Sequence, residues 1–238
     1  MDLTEKQLFD FMKCPVYYDS IHNKNLPVAT PLSMKHLLEK VTSYFFINLM
    51  SGKVLSTENL KRKWDRLCED NMTYMTPQRC LEGLGLIIKM YLWAQNEEFM
   101  IADMKTPYTI TIKSSRGIIN LNGEIAVISV DRNGKNPQLL ITDFSNKYPN
   151  QSILDMKLKY TLDSYAIKKI LGKDIGIRIH NVKHNKDFFS MRIQDDFNRL
   201  EKVIENVALS IKNKLFYPKE SILCASCELI NFCKVWKG

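Results

Sequence analysis

The sequence lacks any apolar run of the roughly 18 residues that a membrane-spanning helix needs, so we expect no membrane partner. It also lacks an internal repeat and a low-complexity linker, and we predict a single domain over residues 1–238. The first residues, MDLTEKQLFDF, carry charges throughout and do not resemble a signal peptide. We therefore expect a cytoplasmic protein, in the host cell if it is viral. In that reducing setting six cysteines indicate metal ligands or free thiols, not disulfides.

The balance of charge is basic, with a net charge of +8 and a pI of about 9.1. Such a balance favours a polyanionic partner, nucleic acid and DNA in particular, although a lysine-rich soluble protein has the same composition. The candidate nucleic-acid-binding residues lie on a helix that Ser56 or Thr57 opens, and they are Lys61, Arg62, Lys63 and Arg66. The alternative for this helix is a solvated face with no ligand.

Helices fill the first part of the chain, and residues from about 30 to 98 are predicted to form a helical insertion. Thr76-Pro77 is a strong start signal for a helix that runs to about Asn96. Its apolar positions are Leu81, Leu84, Ile88, Tyr91 and Leu92. Gly83 and Gly85 within it suggest close packing against another backbone.

A pair of strands follows over residues 121–147, joined by the turn residues Asp131 to Gly134. The second strand is an apolar run that ends on Asp143. A helix from about Asp155 to Leu171 and two further strands, around 175–179 and 188–193, complete a core sheet over 99–194. A last helix and a cysteine tail occupy 195–238. This order of elements predicts an α/β fold with a mixed sheet.

The cysteines of the tail have the spacing C-x2-C-x5-C, formed by Cys224, Cys227 and Cys233. Two thiolates two residues apart can reach one metal centre from a single turn. Cys14, beside a proline that stops the first helix, is the best supplier of a fourth ligand. Zinc, an iron–sulfur cluster and free thiols all remain open from the spacing. The other two cysteines, Cys68 and Cys80, are predicted to be ordinary buried thiols.

A cysteine in a Cys-Pro-x-x-Tyr context together with this tail resembles the iron–sulfur branch of the PD-(D/E)XK nucleases. That branch includes RecB-like and AddB-like nuclease domains and the CRISPR adaptation exonucleases. The stretches FDFMKCPVYYD and FYPKESILCASCELINFC are similar to its two terminal segments. The resemblance implies a restriction-endonuclease-like mixed sheet flanked by helices. It also implies a 4Fe–4S cluster that joins the chain ends, with zinc as the runner-up, and the ligands Cys14, Cys224, Cys227 and Cys233.

The same resemblance implies an altered active site. The family places a Gly-x-x-Asp on one strand and an acidic residue, a spacer and a Lys on the next, and the two carboxylates bind Mg²⁺ or Mn²⁺. Gly123 and Asp143 match this motif, but Ala126 and Ser145 replace its Asp and Lys. Tyr165 matches the end of a Gln-x-x-x-Tyr motif that begins here with threonine. Strand alternation would place Lys147 on the face of Asp143 if the strand continues.

These observations predict a non-catalytic, nuclease-like iron–sulfur protein. It would bind nucleic acid, or scaffold a DNA-processing or viral complex with other protein subunits. One alternative is an active metal-dependent DNA exonuclease that uses Asp143 and Lys147 with Mg²⁺ or Mn²⁺. Another alternative is a purely structural interaction module.

Overall fold

The computed structural model describes residues 1–27, 33–114 and 117–233. The helices are α1 (Glu5–Lys13), α2 (Pro15–Tyr18), α3 (Met34–Met50), α4 (Thr57–Glu69), α5 (Pro77–Asn96), α6 (Gln151–Met156), α7 (Leu158–Leu171) and α8 (Gln194–Lys212). The strands are β1 (Asp2–Thr4), β2 (Phe99–Ser114), β3 (Gly117–Asp131), β4 (Gln138–Asp143), β5 (Gly176–Asn181) and β6 (Lys186–Ser190). The predicted α/β fold, with a mixed sheet flanked by helices, is confirmed.

The chain divides into two compact units, each built from separated segments. Unit 1 consists of Met1–Thr30, Pro107–Gly123 and Gln194–Gly238. Unit 2 consists of Pro31–Thr106 and Glu124–Ile193. Strands β2 and β3 contribute residues to both units, since the unit boundaries fall within them.

The sheet has the order β1-β3-β4-β5-β6, with β2 also paired to β3. The predicted hairpin is confirmed, since β3 and β4 are antiparallel with Ile128 opposite Leu139. Strand β4 is parallel to β5, and this pairing sets Asp143 opposite Asn181. Leu139 and Leu140 are both buried, so β4 is covered on both faces as an apolar run predicts.

Helix α5 begins as predicted, with Thr76 capping the helix and Pro77 at its first position. Its buried residues are Gly83, Leu86, Ile87, Met90, Trp93 and Ala94. Of the five apolar positions that the sequence predicted for the core face, three are exposed, namely Leu81, Ile88 and Leu92. The helix is therefore apolar on two faces, and periodicity alone does not say which one faces the core.

The two glycines of α5 have different surroundings. A Cβ at Gly83 would overlap the indole ring of Trp64, whereas a Cβ at Gly85 would have no atom within 4 Å. The close packing expected at Gly83 is present, but its neighbour is a side chain and not a backbone. At Gly85 the expectation is wrong, since that position is open to solvent.

Two strand and helix boundaries also differ from the prediction. The helix expected from about Asp155 is divided into α6 and α7, because Lys157 adopts an extended backbone conformation between them. Gly172 ends α7 in the left-handed conformation, as predicted. Strand β6 stops at Ser190, short of residue 193, and the Arg192 guanidinium beyond it binds the Thr161 hydroxyl at 2.9 Å in the interior.

Candidate functional site

The four cysteines predicted as ligands line one cleft in unit 1. Cys14 is the extended residue between α1 and α2, where Pro15 forces a break. Cys224 lies in a 3₁₀ turn that the Ser221 hydroxyl caps, and Cys227 directly follows that turn. The structure thus brings residues from opposite ends of the chain to the same place.

Contacts around the cleft hold the tail against the first helix. The Lys219 ammonium donates to the Met12 carbonyl at 2.9 Å, and the ammonium of Lys13 lies 3.3 Å from the Glu228 carboxylate. The ring of Phe216 stacks on Tyr18 with 6.0 Å between centroids. The first helices and the tail therefore meet through polar and aromatic contacts.

The chemistry of the cleft suits a group that prefers sulfur ligands. Its other lining side chains include Val16, Leu223, Leu229 and Ile230, and its lining includes no carboxylate among the described residues. Thiolates in an apolar surround select iron–sulfur clusters or zinc over hard cations. No three His, Cys, Asp or Glu side chains in the described ranges are close enough to share one metal ion.

The Lys13 ammonium lies at the edge of this cleft. Burial lowers the pKa of Lys13, but the neighbouring Tyr17 and Glu228 outweigh burial and leave the pKa of Lys13 raised. The Lys13 ammonium also lies 3.9 Å from the centroid of the Tyr17 ring. A positive charge is therefore maintained beside the cysteines, where it would favour bound thiolates.

The remaining two cysteines lie in unit 2. Cys68 is buried, and burial together with the neighbouring Cys80 raises the pKa of its thiol to about 12. A thiol with this pKa stays protonated at neutral pH and is a poor nucleophile or metal ligand.

A second cleft, in unit 2, surrounds the end of β4 and contains Asp143. Asp143 Oδ1 accepts the Ser145 amide at 3.1 Å, and Oδ2 accepts the Ser145 hydroxyl at 2.8 Å. The buried Asn181 side chain donates to Oδ2 at 3.0 Å. Asp143 therefore acts as a turn-capping carboxylate at the end of a strand.

The other positions of the family motif are distributed unevenly around this cleft. Glu124 and Ala126 line it, but among the described residues its lining does not include Ser145, Lys147 or Tyr165. Strand β4 ends at Asp143, so the condition under which Lys147 would share its face is not met. Tyr165 is buried within α7, with the Lys169 ammonium 4.9 Å from its ring centroid.

Lysines that the sequence analysis missed converge on the same cleft. Lys35, Lys105, Lys157 and Lys159 line it. Lys35 pairs with Glu39 at 3.6 Å and Lys159 with Asp163 at 2.7 Å, so these two charges are partly offset within the cleft. An adjacent groove is lined by Lys40, Lys63 and Lys105 and shares Glu39 and Ser43 with the cleft. We call this continuous surface of unit 2 the lysine groove. A local sequence signal for it is Lys157-x-Lys159, at the start of α7.

Tyr160 lies in the lysine groove beside Asp143. Burial and the negative charge of Asp143 raise the pKa of Tyr160 to about 12. The Lys157 ammonium lies 3.2 Å from the Tyr160 hydroxyl oxygen. The phenol therefore remains protonated at neutral pH and presents a hydrogen-bond donor in the groove.

The four cations predicted on α4 do not form one surface. Lys61 pairs with Asp65 at 2.8 Å and Arg62 with Glu58 at 3.6 Å, so both are partly neutralised by their own helix. The Lys63 ammonium lies 5.8 Å from the Tyr44 ring centroid and lines the lysine groove. Arg66 is exposed. Of the four, Lys63 alone lines the part of the groove that the structure describes.

No protein-family model matches the chain, and no curated protein is significantly similar to it. Among solved structures, one match is entitled "Crystal structure of SSO0001", with 10% identity and a TM-score of 0.40 over 97% of this chain and 93% of the other. A likeness of this degree supports no conclusion about family or function. None of the described helices is long and apolar enough to cross a membrane.

Proposed function

We propose that this protein is a non-catalytic iron–sulfur relative of the PD-(D/E)XK nucleases that binds nucleic acid, DNA in particular, within a larger protein complex. The observation that carries the proposal is the lysine groove, which runs to Asp143 and Ala126. A groove lined by lysines recognises the phosphate backbone without reading sequence. The groove thus keeps the means to hold nucleic acid at the place where the family carries out its chemistry.

Asp143, the acidic residue that matches the family motif, is already engaged in hydrogen bonds. Both oxygens of Asp143 already accept hydrogen bonds from Ser145 or Asn181, and Ala126 offers no ligand atom. Mg²⁺ and Mn²⁺ are held by several oxygen ligands in near-octahedral geometry, usually with carboxylates among them. Losing a metal-binding carboxylate and a catalytic lysine costs a few kcal/mol each, or roughly a hundred- to a thousandfold in rate.

The cysteine cleft supports the iron–sulfur part of the proposal. Cys14, Cys224, Cys227 and Cys233 would hold a 4Fe–4S cluster, with zinc as the alternative group. Bound there, the cluster would link the two ends of the chain covalently through its irons. Lys13 and Lys219 stay at the rim, where their charges offset part of the negative charge of four thiolates.

A salt titration of DNA and RNA binding tests the groove. We expect affinity to fall steeply with salt, and the triple variant Lys35→Glu, Lys105→Glu, Lys157→Glu to bind at least tenfold more weakly with a shallower salt slope. The matched control is Lys61→Glu with Arg62→Glu, which reverses paired cations outside the groove and should bind nearly as the wild type does. No binding at low salt would instead support a purely structural interaction module.

Nuclease assays with Mg²⁺ and Mn²⁺ test the absence of catalysis. We expect no cleavage of single- or double-stranded DNA above background. Metal-dependent cleavage that Asp143→Asn and Lys147→Ala both abolish would identify an active exonuclease and overturn the proposal. Asn at position 143 keeps one oxygen that can accept from the Ser145 hydroxyl and the Asn181 amide, but its NH2 group cannot accept from the Ser145 N–H. The circular dichroism spectrum and melting temperature of this variant should therefore match those of the wild type before a loss of activity is assigned to the missing charge.

A further inference from the structure

Helix α5 carries an apolar stripe on the face that points away from its core. The stripe consists of Leu81, Gly85, Ile88 and Leu92, and we call it the outer stripe. Its three side chains are 72%, 38% and 53% exposed in the order of the chain. The steps of four, three and four residues match the seam of a two-helix coiled coil. Four consecutive seam positions without a polar side chain are unusual on the outer face of a helix.

No contact in the described part of the chain requires a glycine at position 85. A glycine in a helix interior costs about 1 kcal/mol relative to alanine. At position 83 only glycine leaves room for the Trp64 ring, and this explains why the cost is accepted there. At position 85 no described atom lies within 4 Å of where a Cβ would be. A glycine in the middle of an exposed apolar stripe allows the backbone of a second helix to approach closely.

The charges beside the outer stripe indicate that the second helix is α5 of another copy of this chain. Glu82 and Lys89 are both exposed and flank the stripe on the same side, seven residues apart. Two antiparallel copies of α5, related by a two-fold axis midway along the stripe, place Leu81 opposite Leu92 of the second copy. The same arrangement sets Glu82 beside Lys89 of the second copy, twice. A parallel arrangement does not bring these charges together.

We propose that the outer stripe is a self-association surface, through which two copies of this chain pack α5 against α5 in antiparallel orientation. Gly85 then lies opposite Ile88 of the second copy, a small residue facing a large one, which is the complementarity that close helix packing requires. The Lys89 ammonium donates one hydrogen bond to the Lys183 carbonyl at 3.3 Å, and its other two hydrogens remain for the second copy. The proposal does not depend on the nuclease-like function.

Analytical ultracentrifugation of the full chain over a range of concentrations tests the proposal. One pair of helices buries little area, so we expect a reversible dimer with a dissociation constant in the micromolar range. Ile88→Asp should weaken association at least tenfold, while Val54→Asp, at an exposed apolar residue outside the stripe, should leave it unchanged. A wild-type protein that stays monomeric at several hundred micromolar, or a dimer indifferent to Ile88→Asp, would overturn the proposal.

Charge reversal distinguishes this arrangement from other dimers. Glu82→Lys and Lys89→Glu each place like charges together in a homodimer and should weaken it several-fold. A mixture of the two variants should form heterodimers more tightly than either forms homodimers, because every pair across the interface is then of opposite sign. The double variant should recover the affinity of the wild type. A mixture that shows no preference for heterodimers would rule out the antiparallel pairing.

Discussion

At the scale of single residues, Asp187 organises a network of charged side chains in unit 2. Its carboxylate accepts the Arg178 guanidinium through Nε at 2.9 Å and also through a terminal nitrogen, and it lies 2.7 Å from His180 Nδ1. Arg178 also pairs with Glu97 at 2.7 Å. His180 is almost fully buried, with its ring stacked on Trp93 at 3.9 Å between centroids.

This network predicts how stability depends on pH. Burial raises the pKa of Asp187, but hydrogen bonds from His180 and Arg178 outweigh burial and leave that pKa below its ordinary value of 3.8. A carboxyl whose pKa is depressed by folding stabilises the fold above its unfolded pKa, and the stabilisation disappears as pH falls through the folded pKa. We expect Asp187→Asn to lower the free energy of unfolding by about 3 kcal/mol at pH 7.

Urea unfolding at a series of pH values measures this effect. The difference between wild type and Asp187→Asn should be constant from pH 7 to about 5 and should shrink below pH 4. Asp174→Asn is the matched control, because Asp174 pairs with Lys168 at the surface and should contribute less than about 1 kcal/mol. A difference in unfolding free energy that persists unchanged at the lowest pH would contradict the conclusion that the ionised Asp187 carboxylate stabilises the fold.

Asp143 shows how one residue supports two interpretations. An acidic residue at the end of a buried strand is either a metal ligand or a cap for the following turn, and the sequence alone is compatible with both. Its bonds to Ser145 and Asn181 account for its position without a metal. Because the strand ends there, the next residues turn back toward the carboxylate and Lys147 is not presented to the cleft.

At the scale of elements, α5 offers a matched pair of substitutions. Gly83→Ala adds a methyl group that overlaps the ring of Trp64, and Trp64 is held in place because it is buried and its indole N–H donates to the Cys80 carbonyl at 2.8 Å. Overpacking of this kind costs about 1 to 3 kcal/mol. Gly85→Ala meets no atom and should stabilise the folded monomer by up to about 1 kcal/mol.

Thermal unfolding at low protein concentration measures both variants. The expected result is a lower melting temperature for Gly83→Ala and an unchanged or higher one for Gly85→Ala. Dilution keeps self-association through the outer stripe from contributing to the comparison. Two variants that shift the melting temperature equally would contradict the packing seen around Trp64.

At the scale of the whole molecule, the cysteine cleft predicts a coloured protein. If the proposed cluster is present, protein purified without oxygen should be brown. Cys14→Ala should then lose the colour and melt at a lower temperature, because as a cluster ligand Cys14 would tie the first helices to the tail. Cys80→Ala is the control, since Cys80 lies in unit 2 and should leave the colour unchanged. A colourless wild-type protein that contains one equivalent of zinc would show that the site holds zinc and not a cluster. Full colour in Cys14→Ala would exclude Cys14 as a ligand.

Local chemistry allowed the sequence to determine several element boundaries. A threonine cap followed by proline starts α5, a glycine with positive φ ends α7, and alternation with turn residues defines the β3–β4 hairpin. The cysteine spacing also identified three side chains of one cleft, and the proline beside Cys14 pointed to a fourth. These features depend on residues only a few positions apart, or on a rare residue type, and the physics that produces them is contained in short segments.

Only the tertiary structure decided which surfaces those elements present. Of the two apolar faces of α5, the one with Leu86 and Met90 is buried, because α3 and α4 pack against it, and the one with Leu81 and Leu92 is exposed. The tertiary structure gathered Lys35, Lys105 and Lys157 from three distant segments into one groove. Burial and convergence depend on contacts between residues far apart in the chain, and no local pattern contains that information.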